Sequence, residues 1–190
     1  MRIGLFFGTF DPVHKGHIQI ANSLIKHNIV ERVWFVISPM SPFKINQTIT
    51  CLEHRVNMLN LAIYNNPNFS VSDIEIQLST PSYTANTLSY IEKNYLGNEF
   101  FIVMGSDNYK NISKWQNYEY ILKNFKICIY NRGVKIKRQT TNNIIEIPGS
   151  EINISSSYIR QHIKSASKNL LSSSVLDYIL KHHIYKSFHP

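Results

Sequence analysis

Apolar and polar positions along the chain alternate between two periods. Residues 2–8, RIGLFFG, form a continuous apolar run, as in a strand buried on both faces of a parallel sheet. HIQIANSLIKHN (17–28) carries Ile18, Ala21, Leu24 and Ile25 at helical spacing, with Asn28 placed to stop the helix. RVWFVIS (32–38) predicts a second buried strand, followed by the proline-punctuated loop SPMSPFKINQTIT. LEHRVNMLNLAIY (52–64) returns to helical spacing through Leu52, Val56, Leu59 and Ile63, with Thr50 as the expected N-cap. The stretch 69–78 alternates like a strand, 84–95 is helical, and 99–105 is a strand ending in glycine. A loop then leads into helix up to residue 124. Strands are expected at 125–132 and 143–148, and short helices at 156–165 and 173–183.

Strands that alternate with helices imply an α/β fold, a doubly wound parallel sheet with right-handed crossovers. Neither an internal repeat nor a linker interrupts residues 1–190, so one domain is expected, with a small helical C-terminal portion from about 154. In such sheets ligands bind beyond the carboxyl ends of the strands, near the point where strand order reverses.

Composition narrows the function classes. The 190 residues carry a formal net charge of +8, which favours anionic partners. The charge is dispersed, and the densest run, KIKRQ at 135–139, reads as a solvated loop or strand edge. This argues against a nucleic-acid stripe. No apolar run approaches the roughly 20 residues that cross a bilayer, so no membrane partner is expected. Cys51 and Cys128 lack any metal-ligand spacing and are expected as reduced, core or near-core thiols in a cytoplasmic setting.

The chemistry concentrates in GTFDPVHKGH, residues 8–17. Gly8 allows a backbone geometry or a close ligand approach that a side chain would obstruct. Thr9 offers a hydroxyl and an N–H, Pro12 stiffens the loop, and Gly16 lets the next helix begin tightly packed. That helix N-terminus presents unpaired N–H groups and a positive dipole end, suited to phosphate. His14 and His17 are then placed to donate to phosphoryl oxygens as charge develops in transfer. A second stretch, ISSSYIR at 154–160, can cap a helix through its serines and offer Arg160 as a cation for polyphosphate.

GTFDPVHKGH resembles the HxGH signature of the nucleotidylyltransferase superfamily, and ISSSYIR resembles its ISSTxIR element, with Ser157 keeping the hydroxyl of the commoner threonine. Three further stretches, EHRVNMLNLA (53–62), PSYTANTL (81–88) and FIVMGSDNYKNISKWQNYEYIL (101–122), are similar to segments of bacterial nicotinate-nucleotide adenylyltransferases. The closing VLDYILKHHIY is similar as well, so the resemblance runs from residue 2 to about 185.

The resemblance implies a Rossmann-like fold and transfer of AMP from ATP to nicotinic acid mononucleotide, with release of pyrophosphate. It assigns Gly8, Thr9, Phe10, His14 and His17 to ATP and the transferring phosphate. Ser156, Ser157 and Arg160 are assigned to the far end of the triphosphate, and Gly105 and Asp107 to the adenosine region. Thr84 and Trp115 fall to the nicotinate pocket, and Lys44 and Arg132 to the mononucleotide. Mg²⁺ is implied as a cofactor carried mainly by the ATP phosphates, with no protein metal ligands.

Three positions depart from the family pattern: Phe43 stands where His is usual, Asn86 where Asp is commoner, and Phe7 where a second glycine is frequent. None of them touches the histidines or Arg160. Phosphopantetheine adenylyltransferase and a dual-specificity nicotinamide mononucleotide adenylyltransferase are the nearest alternatives. A cytidylyltransferase is expected to carry an RTxGISTT-type element, which is absent. The sequence leaves acid against amide preference, and any homo-oligomer, open.

Overall fold

The computed structural model describes residues 1–44, 48–131, 143–148, 154–163 and 169–185. Six parallel strands form one sheet: β1 (Arg2–Gly8), β2 (Arg32–Ile37), β3 (Phe69–Ser72), β4 (Glu99–Gly105), β5 (Lys126–Tyr130) and β6 (Ile144–Glu146). Their spatial order is β3-β2-β1-β4-β5-β6, so the winding reverses between β1 and β4. Helices α1 (Lys15–Lys26), α2 (Leu52–Ile63), α3 (Ile74–Gln77), α4 (Thr84–Asn94), α5 (Ser106–Lys110) and α6 (Tyr118–Asn124) connect them. The chain closes with α7 (Ser156–Gln161) and α8 (Ser173–Lys181).

The apolar runs are buried on both faces because successive side chains point to opposite sides of the sheet. Phe6, Phe35, Phe101, Val103 and Cys128 join one core with α1, α2, α7 and α8. Ile3, Leu5, Ile102, Met104 and Ile127 join the other, under α4, α5 and α6. Each such side chain contributes roughly 1.5–3 kcal/mol when fully withdrawn from water.

Most of the predicted elements occur, with shorter strands at β5 and β6. The clearest correction falls at 69–78. Strand β3 stops at Ser72, and 74–77 form the short helix α3. The apolar phase slips by one residue at Asp73–Ile74, from Phe69 and Val71 to Ile74 and Ile76, and one strand cannot bury both sets. Ile74 is buried while Ile76 is exposed. Asn28 ends α1 as expected. It sits in the left-handed region at φ 54°, with its N–H on the Ile25 carbonyl and the Ile29 N–H on Leu24, a Schellman end.

Thr50 does not cap α2; Cys51 occupies that position without a side-chain bond. Cys51 is also exposed rather than near-core, while Cys128 is buried and burial pushes its thiol up to about 12. No helix among the described residues is long and apolar enough to cross a membrane.

Candidate functional site

Strands β1 and β4 end side by side at Gly8 and Gly105, and the chain turns from both into helices at the reversal point. Phe10 governs the first turn. Its backbone is left-handed at φ 46°, and its ring folds back into the core, edge-on to Phe6 and Phe35. A Cβ at Gly8 would lie 3.0–3.3 Å from that ring. A side chain at position 8 would therefore crowd the Phe10 ring, and that ring faces the core. Gly8 also borders the cavity that adjoins the turn, and the Phe10 ring is buried.

His14 is the N-cap of α1 and is 4% exposed. Its ring stacks on His17 with centroids 3.7 Å apart and planes at 21°. The rings of Phe10 and Phe6 meet His17 edge-on at 5.1 and 5.6 Å. The His14 backbone N–H donates to His17 Nδ1 at 3.2 Å. In the neutral ring Nδ1 is thus an acceptor and Nε2 carries the hydrogen. The pair is a rigid stack at a helix N-terminus, with its protonated ring nitrogen fixed by the backbone.

The second stretch reaches the same turn from α7. Ser155 caps the helix, accepting from Tyr158 N–H at 3.2 Å. Ser156 Oγ donates to the Pro12 carbonyl at 2.9 Å. Arg160 donates through one nitrogen to the Asp11 carbonyl at 2.7 Å and through another to Ser157 Oγ at 3.3 Å. Residues 144 and 149 positions apart are thereby joined.

An open cavity of about 330 Å³ adjoins this turn, with Gly8, Thr9, Phe43, Thr84 and Trp115 in its wall. Thr84 begins α4, and Trp115 is half-buried after a short 3₁₀ turn. Phe43, the departure from the family histidine, is 61% exposed at its mouth, and Phe7 also lines it. Asn86, the other departure, faces outward on α4. Gly105 caps α5 and Asp107 lies in its first turn; the neighbour that lines the cavity is Asn108. The Lys44 side chain and Arg132 lie outside the described residues.

Several residues around the cavity were given no role from the sequence: Ser38, Ser82 and Tyr83 in its wall, and Arg55, Asp11 and Glu75 beneath it. Arg55, 2% exposed, donates to the carbonyls of Thr50, Thr9, Ser38 and Pro39 at 2.8–3.1 Å. It ties the loops after β1 and β2 to the start of α2. A histidine-arginine pair opening a helix reads as a solvated face, and only the folded chain shows that this arginine turns inward.

Glu75 is 1% exposed and accepts from Thr87 Oγ1 at 3.0 Å. Its Oε2 and the Ser82 hydroxyl have no well-aligned partner among the described residues, although Ser38 and Ser82 stand close enough to ease the charge. Burial pushes this carboxyl above the ordinary value of 4.5. In the interval above 4.5 the folded state holds a proton that the unfolded chain has lost, so stability falls as pH rises through it. Glu75→Gln is therefore expected to unfold at a higher temperature than wild type at pH 8, the gain shrinking as pH falls to 4.5. Thermal melts across that range check it, and a variant less stable at pH 8 would contradict it.

The profile of the cytidylyltransferase-like family matches residues 5–162. A probable nicotinate-nucleotide adenylyltransferase of Flavobacterium psychrophilum is 40% identical, covering 98% of this chain and all of its own. The nicotinate-nucleotide adenylyltransferase of Bacillus subtilis is 31% identical over 98% of this chain and 99% of its own. Among solved structures, nicotinic acid mononucleotide adenylyltransferase of Plasmodium falciparum, complexed with NaAD, superposes with a TM-score of 0.82. It is 23% identical and covers 97% of both chains, a likeness of fold.

Proposed function

The chain belongs to the cytidylyltransferase-like family, and from that premise we infer that it is a nicotinate-nucleotide adenylyltransferase of NAD biosynthesis. It joins nicotinic acid mononucleotide to the AMP part of ATP. A phosphate oxygen of the mononucleotide attacks the α-phosphorus in line. The bond from that phosphorus to the α,β-bridging oxygen breaks, and pyrophosphate leaves with the electron pair. The products are nicotinic acid adenine dinucleotide and pyrophosphate, with no covalent enzyme intermediate. The observation that carries this reading is the shared boundary of the two half-sites: Gly8 and Thr9 line the Trp115 cavity and lead directly into the turn that holds His14 and His17.

Catalysis of this kind rests on positioning and charge stabilisation. His17 donates from Nε2 to an oxygen of the α-phosphate, its other nitrogen being held by the His14 N–H. His14, stacked on it, donates to the triphosphate at the N-terminus of α1. Arg160, Ser156 and Ser157 hold the outer phosphates, with Gly105 and Asp107 toward the adenosine. Trp115 lies against the pyridine ring and Thr84 stands at its edge, where face and quadrupole both suit a pyridinium. Lys44 and Arg132 meet the mononucleotide phosphate.

Mg²⁺ fits this site as a passenger of ATP. The donors at the turn are N–H groups and imidazoles, and Asp11, the carboxylate of the turn itself, already accepts from Tyr185 and Thr50. When bound, the metal would supply charge neutralisation to the phosphates.

Pyrophosphate release with Mg-ATP and, in parallel, nicotinic acid mononucleotide, nicotinamide mononucleotide and phosphopantetheine tests the reaction. Turnover is expected with the acid mononucleotide, and much less with the amide, whose NH₂ finds donors rather than acceptors at a carboxylate subsite. Efficient turnover of the amide overturns the specificity, and turnover of phosphopantetheine alone overturns the assignment.

A further inference from the structure

Tyr185 lies at the far end of the chain, yet its hydroxyl sits under the catalytic turn. It donates to Asp11 Oδ1 at 2.7 Å across 174 positions of sequence. Tyr185 is 4% exposed and Asp11 2%. Asp11 is held on its other sides too: Oδ2 accepts from the Thr50 N–H at 3.2 Å, and its carbonyl accepts from Arg160 at 2.7 Å. One residue, three positions before His14, thus joins the C-terminus, the start of α2 and the arginine of α7.

The backbone bends sharply to make this contact. Helix α8 ends in a Schellman motif, with the His183 N–H on Leu180 and the Ile184 N–H on Ile179. His183 lies at φ 55° and Tyr185 itself at φ 67°. A left-handed backbone is uncommon for an aromatic residue and persists where surrounding contacts over-determine it. Here the contact is the buried hydroxyl on Asp11. Burial and the Asp11 carboxylate beside it push the Tyr185 phenol up, so it remains a donor.

We propose that Tyr185 is a positioning residue for adenylyl transfer: through Asp11 it fixes the turn that presents His14 and His17 to the triphosphate. This rests on the reaction assigned above. Without the hydroxyl, Asp11 Oδ1 is a buried acceptor that has lost its donor. It regains one only by rotating toward water or toward a neighbouring guanidinium, and either movement drags the turn. A displacement near 1 Å at a reacting group costs as much as about 100-fold in rate.

The test uses the full chain with Tyr185→Phe, which keeps the ring and removes one oxygen. Expected are a kcat lower by about 10–100-fold, a KM for nicotinic acid mononucleotide within about twofold of wild type because the Trp115 cavity is untouched, and about fivefold weaker calorimetric binding of α,β-methylene-ATP as the turn loosens. Asp11→Asn combined with Tyr185→Phe should be no slower than the slower single variant, since both act through one bond. A lowered melting temperature with unchanged kcat and unchanged analogue binding makes the contact merely structural and overturns the proposal. Fully additive losses in the double variant do so as well. Failure of wild type to turn over the acid mononucleotide instead overturns the reaction, and the analogue affinities then decide the role of Tyr185 alone.

Discussion

Replacing His17 by alanine is expected to lower kcat by about 10²–10³-fold, the cost of removing one preorganised donor from a developing anionic charge. The expectation depends on the structure as much as on the motif. His17 is seated edge-on against Phe6 and Phe10 and stacked on His14, so its Nε2 direction is set before substrate arrives. Such a donor needs no reorganisation at the moment of reaction, which is where its advantage over water lies. Alanine also removes the acceptor for the His14 N–H, half of a capping box whose loss costs about 1 kcal/mol of stability. The two effects separate in measurement. Steady-state kinetics with both substrates should show kcat and kcat/KM falling together, the mark of an interaction made chiefly in the transition state. A melting curve should show only a small shift. A kcat within threefold of wild type would remove His17 from the chemistry.

Replacing Arg55 by methionine should have the largest effect on folding, about 3–5 kcal/mol lost. A buried cation is costly in itself, and desolvation lowers the Arg55 pKa from its ordinary value, although Asp11 and other neighbours favour its charge. The guanidinium is tolerated because its donors meet four carbonyls, those of Thr50, Thr9, Ser38 and Pro39. Methionine fills much of the volume but leaves those oxygens in a dry interior without donors, each a penalty of about 1–3 kcal/mol before relaxation. Arg55→Lys keeps the charge without the planar fork and should lose less. Urea denaturation of the three proteins gives the order wild type, Arg55→Lys, Arg55→Met. A loss below about 1 kcal/mol for methionine would mean that water or a neighbour satisfies the carbonyls.

Much of the fold was legible because burial is written locally. A strand covered on both faces is apolar along its covered length, and β1, β2 and β4 are so after their charged first residues Arg2, Arg32 and Glu99. The error at 69–78 came from the same rule, since alternation was read through a one-residue slip that the backbone resolves by starting α3. The candidate site was legible through its short motifs, and the fold brings their two ends together when Arg160 and Ser156 meet the carbonyls of Asp11 and Pro12. The inward turn of the Phe10 ring was not legible, because a left-handed residue in the middle of a motif leaves no hydrophobic period.

The sequence by itself determined the alternation of strands and helices, the glycine-led turn, the histidine pair and the capped arginine helix. Each is a relation among residues within about ten positions, where period and spacing decide which side is wet and which group can reach the next. Tertiary structure alone decided that Arg55 faces inward, that Glu75 lies dry beneath the cavity wall, and that Tyr185 meets Asp11. These are polar residues whose patterns locally resemble solvated surface. What makes them interior is a partner supplied by a distant segment, and a hydrogen bond across 174 positions leaves no period in the chain.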